Sequence, residues 1–246
     1  GVVLPLTAQN QQESGCLYLR PTQTPIEEQE GFQEGQWWVQ NASASLPVLL
    51  MGDVTGKNIL DLCAAPGGKT AQLALRGAHV TALDISSKRL QRLKENLERL
   101  KLSATLKEAD ALNFQPQQLF DAVLLDAPCS STGTIRHQPD ILWTKDLQSI
   151  ERFAQLQYNL LDKAFSYIKK DGVLIFCNCS LFKKEGEEII KQISNKRKDI
   201  SLLPFTENEL GDACKKFIDS TGGLRLTPSA FLYKGEFFGE FDGFFI

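Results

Sequence analysis

Two cysteines carry the residue types and surroundings for covalent chemistry. Cys129 lies in Asp126-Ala-Pro-Cys-Ser-Ser-Thr-Gly133 and Cys179 in Phe176-Cys-Asn-Cys-Ser-Leu181, each just past a run that reads as a β-strand. A third segment, Leu60-Asp-Leu-Cys-Ala-Ala-Pro-Gly-Gly-Lys-Thr70, is a glycine-rich strand-to-helix turn. Together they point to a cofactor-dependent enzyme that attacks its substrate with a thiol. A thiol near pKa 8.5 is only a few per cent thiolate at pH 7, a handicap of about 2 kcal/mol, so the site should supply positive potential or a base. For a cysteine taken alone the ordinary role is a small buried hydrophobe, and Cys16, Cys63, Cys177 and Cys214 receive that reading. Cys177 is expected to point away from Cys179 or to pack beneath it.

The glycine turn decides which cofactor. Cys63-Ala-Ala-Pro-Gly-Gly-Lys-Thr70 is close to a phosphate-binding P-loop, but Cys63 stands where that motif needs glycine. Pro66 also removes a backbone N–H from a loop that would cradle phosphate with N–H groups. Asp84, at the end of the next strand, is placed for a ribose diol. These features favour S-adenosylmethionine, whose methionine carboxylate can sit at the helix N-terminus; a P-loop and a purely structural turn are the alternatives. Asp61 and Asp110 are further candidates, Asp110 for an adenine amino group and Asp61 for a polar residue satisfied by loop amides.

The elements that must position these residues follow from pattern. Strands are expected at Ile59–Cys63, His79–Asp84, Thr105–Glu108, Asp121–Asp126 and Gly172–Phe176, the fourth with the continuous apolar run of a buried parallel strand. Helices are expected at Ala42–Met51, from Lys69 to Arg76, after a cap at Ser86 or Ser87 with Leu90, Leu93, Leu97 and Leu100 on one face, from Asp146 to Lys169, and over Lys184–Ser194. Alternating strands and helices imply an α/β fold with a mostly parallel, doubly wound sheet, and Leu224 to Ile246 should add antiparallel edge strands. Residues 1–35 read as a linker or the tail of an upstream element, and 36–246 as the catalytic domain. The chain opens Gly1-Val-Val-Leu with its one methionine at Met51, so it is expected to be a fragment.

Composition narrows the classes. The chain has 246 residues, 42% of them hydrophobic, enough for one sizeable core. No apolar run approaches the roughly 20 residues of a membrane span, and no secretory signal is visible. Six irregularly spaced cysteines do not form a secreted disulfide framework. Cys177-Asn-Cys179 is too tight for a zinc half-site, and with His79 and His137 as the sole histidines no metal is expected. A cytoplasmic monomer is the expectation. A net charge of −3 excludes a polycation that coats nucleic acid; the basic clusters at Lys88-Arg89, Lys183-Lys184 and Lys196-Arg-Lys198 read as solvated helix faces.

Two thiols and Asp126 suit one reaction in particular. Cytosine C5 is too weak a nucleophile to take a methyl group directly. A thiolate adding at C6 makes C5 an enamine carbon; the C5 proton must then leave and the thiol be expelled. Nucleophile, base and N3 acid thus have three candidates.

At these residues the chain resembles the RNA 5-methylcytosine methyltransferases of the Nol/Nop/Sun family, most closely the bacterial Sun (Fmu) type that modifies 16S ribosomal RNA. The resemblance runs from about Gly35 to Ile246 through Trp37-Trp-Val-Gln-Asn-Ala-Ser43, Leu60–Thr70, Ala82-Leu-Asp84, Asp121–Trp143, Cys179-Ser-Leu181 and Asp242-Gly-Phe-Phe245. It implies a Rossmann-like methyltransferase fold, with Cys179 as the nucleophile, Cys129 aiding proton loss and product release, and Asp126 at N3. It further implies that Cys63, Ala64, Ala65, Pro66, Gly67, Gly68 and Lys69, with Asp84, Asp110 and Asp126, bind S-adenosylmethionine. Arg136 and Pro139 would lie near the target nucleotide of an RNA partner, 16S rRNA. A loop salt bridge is the plain alternative for Arg136, and Trp143 is either a base-stacking platform or a core residue. The departures are Asn178 for the usual Thr, Asn41 for Asp, Ser131 for Gly, and Thr227-Pro-Ser229 for Leu-Pro-His, which puts any contact by that histidine in doubt. Two other readings stay open: an exocyclic-amine methyltransferase gripping its acceptor with Asp126-Ala-Pro-Cys129, and a non-catalytic RNA-binding assembly factor.

Overall fold

The computed structural model describes residues 2–3, 16–17, 24–206, 216–228, 230–233, 236–240 and 242–246. Cys214 and Ser229 lie outside the described residues. The chain forms two compact units, Gly1–Leu124 with Tyr167–Leu174, and Leu125–Ser166 with Ile175–Ile246.

In the first unit, β1 (Val2–Val3) pairs antiparallel with β2 (Cys16–Leu17) and with β3 (Trp38–Val39). Helix α1 (Ala42–Leu50) starts at Asn41, whose side chain accepts from the Ser43 amide at 2.9 Å; Asn and Asp serve equally as such caps, so this departure from the family costs nothing locally. The alternation expected from the sequence follows: β4 (Asn58–Leu62), α2 (Gly68–Leu75), β5 (His79–Asp84), α3 (Ser87–Leu100), β6 (Thr105–Glu108), β7 (Phe120–Asp126) and β8 (Ile168–Cys177). The five strands lie in the order β6-β5-β4-β7-β8. Pairing is parallel where β4 meets β5, with Leu62 opposite Leu83, and where β5 meets β6, with Asp84 opposite Glu108. That register sets Cys63, Asp84 and Asp110 at or just beyond the same carboxyl edge.

The sheet reads as near-continuous apolar runs because both faces are covered: Ile59, Leu60, Leu62, Val123 and Leu124 are fully buried. Ser86 caps α3, and Leu90, Leu93, Leu97 and Leu100, one stripe of a 3.6-residue period, pack with Trp38, Ala64, Ala65, Ala71 and Ala82. Each such leucine contributes about 1.5–3 kcal/mol.

The second unit holds α4 (Ile141–Thr144), which sequence patterning did not mark, α5 (Leu147–Ala164) and α6 (Glu187–Lys196). A capping box between Asp146 and Ser149 starts α5. It stops at Ala164 and not at Lys169. Phe165–Tyr167 tightens into a 3₁₀ turn, and the strand expected from Gly172 already begins at Ile168. The physical cause is Tyr167, buried in the first unit with its hydroxyl on the carbonyls of Ala111 (2.6 Å) and Phe114 (3.1 Å), a long-range fixation invisible to local periodicity. Similarly, Lys183–Glu185 is a 3₁₀ turn and α6 starts three residues later than Lys184. The C-terminal antiparallel strands are present as β9 (Arg225–Leu226) with β12 (Phe244–Phe245), and β10 (Ala230–Tyr233) with β11 (Glu236–Glu240). Phe245 and Asn178 exchange backbone hydrogen bonds of 3.0 and 2.9 Å, which tie β12 to the residue following β8.

Candidate active site

In the first unit the glycine turn is shaped by two left-handed residues. Cys63, where a P-loop has glycine, adopts φ 59°, and Gly67 adopts φ 104° as the N-cap of α2. A Cβ on Gly67 would stand 2.6 Å from Leu93 Cγ, so this glycine answers both to its backbone and to the α3 leucine stripe. No side chain caps α2, which suits its first-turn N–H groups to a ligand carboxylate. Asp84 is buried and gathers the turn: its Oδ2 accepts from the Ala65 amide at 3.2 Å, its Oδ1 from the Ser86 amide at 3.0 Å, and Arg89 lies 3.3 Å away. Arg89 also donates to the Ala65 carbonyl. Ala64 N–H bonds the Leu83 carbonyl at 3.0 Å, and Asn96 reaches the Pro66 carbonyl at 3.4 Å. Lys69 is buried, and buried Asp61 accepts from the Thr70 hydroxyl at 2.6 Å, a hydroxyl where the sequence suggested loop amides. Asp110 turns the chain after β6, accepting from Leu112 N–H (2.9 Å) and Asn113 Nδ2 (2.7 Å). Tyr167 clamps the carbonyls just beyond it; burial, and secondarily the Asp110 charge, push its phenol up to about 12.

The second unit brings together residues 50 apart in the chain: the Sγ atoms of Cys129 and Cys179 are 3.3 Å apart, with no disulfide between them. Cys129 is buried, Cys179 partly so. The neighbouring Cys179 sulfur, and then burial, push the Cys129 thiol well up, against the Ser131 amide that donates to its sulfur at 3.4 Å. The positive potential expected around a reactive thiol is therefore not what Cys129 meets. Cys177 packs fully buried and points its thiol at Asp126 Oδ1 (3.6 Å), the carboxylate expected to act. The Gly133 amide donates to the Cys179 carbonyl at 2.8 Å, and a Cβ on Gly133 would stand 2.0 Å from the Gly243 carbonyl oxygen, so the Cys129 loop closes onto its neighbours only with glycine there. Ser131, a departure from the family's glycine, has φ 58°, the conformation glycine favours.

Arg136 makes the loop ion pair: it lies 3.5 Å from Asp242, which His137 Nε2 also approaches at 3.2 Å. Pro139 is exposed just ahead of α4. Trp143 is 87% exposed, which removes the core reading. Sequence reasoning missed Tyr167 and Glu185. Glu185 is fully buried and accepts from Ser130 N–H (2.8 Å), the Ser130 hydroxyl (2.5 Å), the Ser180 hydroxyl (2.6 Å) and Gln157 Nε2 (2.9 Å). No local signal separated it from the charged run Lys183-Lys-Glu-Gly-Glu-Glu188 in which it lies. Among the described residues no cluster of His, Cys, Asp and Glu has the arrangement of a metal site, and no helix is long and apolar enough to cross a membrane.

Residues 48–242 match the family model described as 16S rRNA methyltransferase RsmB/F. The ribosomal RNA small subunit methyltransferase B of Escherichia coli O1:K1 is 41% identical over 186 residues, covering 74% of this chain and 43% of its own length. The chain therefore spans less than half of that relative. Among solved structures, a methyltransferase homolog protein from Pyrococcus horikoshii is 26% identical with a TM-score of 0.71, over 91% of this chain and 71% of that one. The NSun6 protein of Pyrococcus horikoshii, solved with SFG, is 25% identical with a TM-score of 0.68, over 90% and 55%.

Proposed function

The chain belongs to the 16S rRNA methyltransferase RsmB/F family, and from that premise we propose that it carries the machinery for S-adenosylmethionine-dependent methylation of cytosine C5 in RNA, with 16S rRNA as the substrate. The observation that carries the reading is the pair of sulfurs 3.3 Å apart, one of them, Cys129, held in its protonated form. The buried Cys129 thiol keeps its proton, and we assign the partly exposed Cys179 as the attacking sulfur.

The Cys179 thiolate adds to C6 of the target cytosine, forming the S–C6 bond, while Asp126 holds N3 and, acting as its acid, hands it a proton so that no negative charge collects on the ring. C5 becomes nucleophilic. Bound S-adenosylmethionine supplies an electrophilic methyl group. The Gly67 turn and the N-terminus of α2 would hold the donor's carboxylate, Asp84 its ribose and Asp110 its adenine. The C5 proton then leaves to water, the electrons of that C–H bond re-form the C5–C6 double bond as the S–C6 bond breaks, and the N3 proton returns to Asp126; the Cys129 thiol aids this release by donating a hydrogen bond to the departing Cys179 thiolate. The burial that raises the Cys129 thiol suits this later role better than nucleophilic attack.

A covalent-trap assay tests the proposal. Wild type, Cys129→Ala and Cys179→Ala are incubated with 16S-type RNA and S-adenosylmethionine and run on a denaturing gel. Cys129→Ala should accumulate an RNA–protein adduct, and Cys179→Ala should give neither adduct nor methylated product. Methylation surviving in Cys179→Ala, with no adduct in any variant, replaces this mechanism with transfer to an exocyclic amine.

A further inference from the structure

We propose that Glu185 is a positioning residue that sets the distance between the two thiols. The inference rests on the two-thiol reading above. Glu185 touches neither sulfur; it joins the residue after each one. Its Oε1 accepts from the Ser130 amide (2.8 Å) and from Gln157 Nε2 (2.9 Å), and its Oε2 from the hydroxyls of Ser130 (2.5 Å) and Ser180 (2.6 Å). Ser130 follows Cys129 and Ser180 follows Cys179, so one carboxylate holds both loops.

The rest of the frame is anchored to the same residue. Gln157, on α5, also donates to the Pro128 carbonyl at 2.9 Å, one residue before Cys129. Asn178, one residue before Cys179, donates to the Glu185 carbonyl and accepts the Ser180 amide at 2.9 Å. Ser130 and Ser180 hydroxyls lie 3.1 Å apart with Thr132 beside both. A fully buried carboxylate is costly unless its lone pairs are filled, and here four donors fill them. Removing it leaves those donors without an acceptor and frees the loops to separate.

The test compares wild type with Glu185→Ala, Glu185→Asp and Glu185→Gln. The first readout is independent of methylation: the rate at which diamide, taking up the two thiol hydrogens, closes a Cys129–Cys179 disulfide, followed by peptide mass mapping. The second is kcat and KM for methyl transfer to RNA, and the third is thermal melting. Glu185→Ala should slow disulfide closure about tenfold and lower kcat about 100-fold while KM for RNA stays within about threefold, because a misplacement near 1 Å has that effect. Glu185→Asp keeps the charge but falls a methylene short, and should also be slow in both. Glu185→Gln keeps the length, and its amide can donate to two hydroxyls that rotate to accept, so it should restore most of both rates.

A Glu185→Ala or Glu185→Asp protein that melts cooperatively and closes the disulfide at the wild-type rate overturns the proposal. So does a Glu185→Gln protein as slow as Glu185→Ala, which would assign the effect to charge. Should Glu185→Ala not fold, the Asp and Gln variants decide by the same criteria. Should wild type fail to methylate cytosine, the two-thiol mechanism falls, and the disulfide rates still judge the positioning.

Discussion

The glycine turn and the thiol pair are built in different ways. The turn is local: Cys63 to Lys69 is one continuous stretch, its shape set by two left-handed residues and by an aspartate about twenty residues on. The thiol pair is non-local, with 50 residues between its members, and its spacing depends on a carboxylate that belongs to neither motif. A local device fails when its own backbone is altered. A non-local one fails when a distant anchor is removed, even with both cysteines intact.

The largest predicted effect is on the thiol side. Cys179→Ala should lower methyl transfer by at least about 10⁴-fold, as loss of a covalent nucleophile does, with little change in melting temperature; labelled-methyl incorporation checks it. The counterpart on the turn is Gly67→Ala. A left-handed φ plus a Cβ 2.6 Å from Leu93 Cγ should destabilise the protein by about 2–4 kcal/mol, read by urea denaturation. A Gly67→Ala protein of wild-type stability would remove the backbone argument for the turn.

Tyr167→Phe takes a hydroxyl away from the carbonyls beyond Asp110 and should cost about 1–2 kcal/mol at neutral pH. Its pH dependence has a definite sign. The phenol is raised in the fold from its ordinary 10 to about 12, so its contribution is fully present below pH 10 and disappears as pH rises through about 12. Denaturation midpoints across that window should fall more steeply for wild type than for Tyr167→Phe; parallel curves would contradict it. The smallest effect belongs to Ser131→Gly. Relief of the left-handed serine, less the added freedom of the unfolded chain, should raise stability by about 0.5–1 kcal/mol, visible as a small rise in melting temperature.

The legibility of the sequence follows the same division. Strand β6 is at the expected residues, and the α3 leucines are buried as their spacing required, because periodicity reports directly on which face meets a core. The ends of α5 and α6 were misplaced because Tyr167 and Glu185 are fixed by partners far away in sequence, and tertiary anchors override local helix propensity. Arg136 reads identically as an RNA contact or an ion pair until Asp242, more than a hundred residues later, is found beside it. Trp143 carries no sign in its own neighbourhood of whether it is buried.

From the sequence alone came the residue types, the order of strands and helices, the glycine turn and the two thiols, since each is carried by a short run whose chemistry and period are complete in themselves. The tertiary structure decided the spacing of the sulfurs, the protonation of Cys129, the partner of Cys177 and the burial of Glu185. Those depend on distances, hydrogen bonds and desolvation between segments that only folding brings into contact.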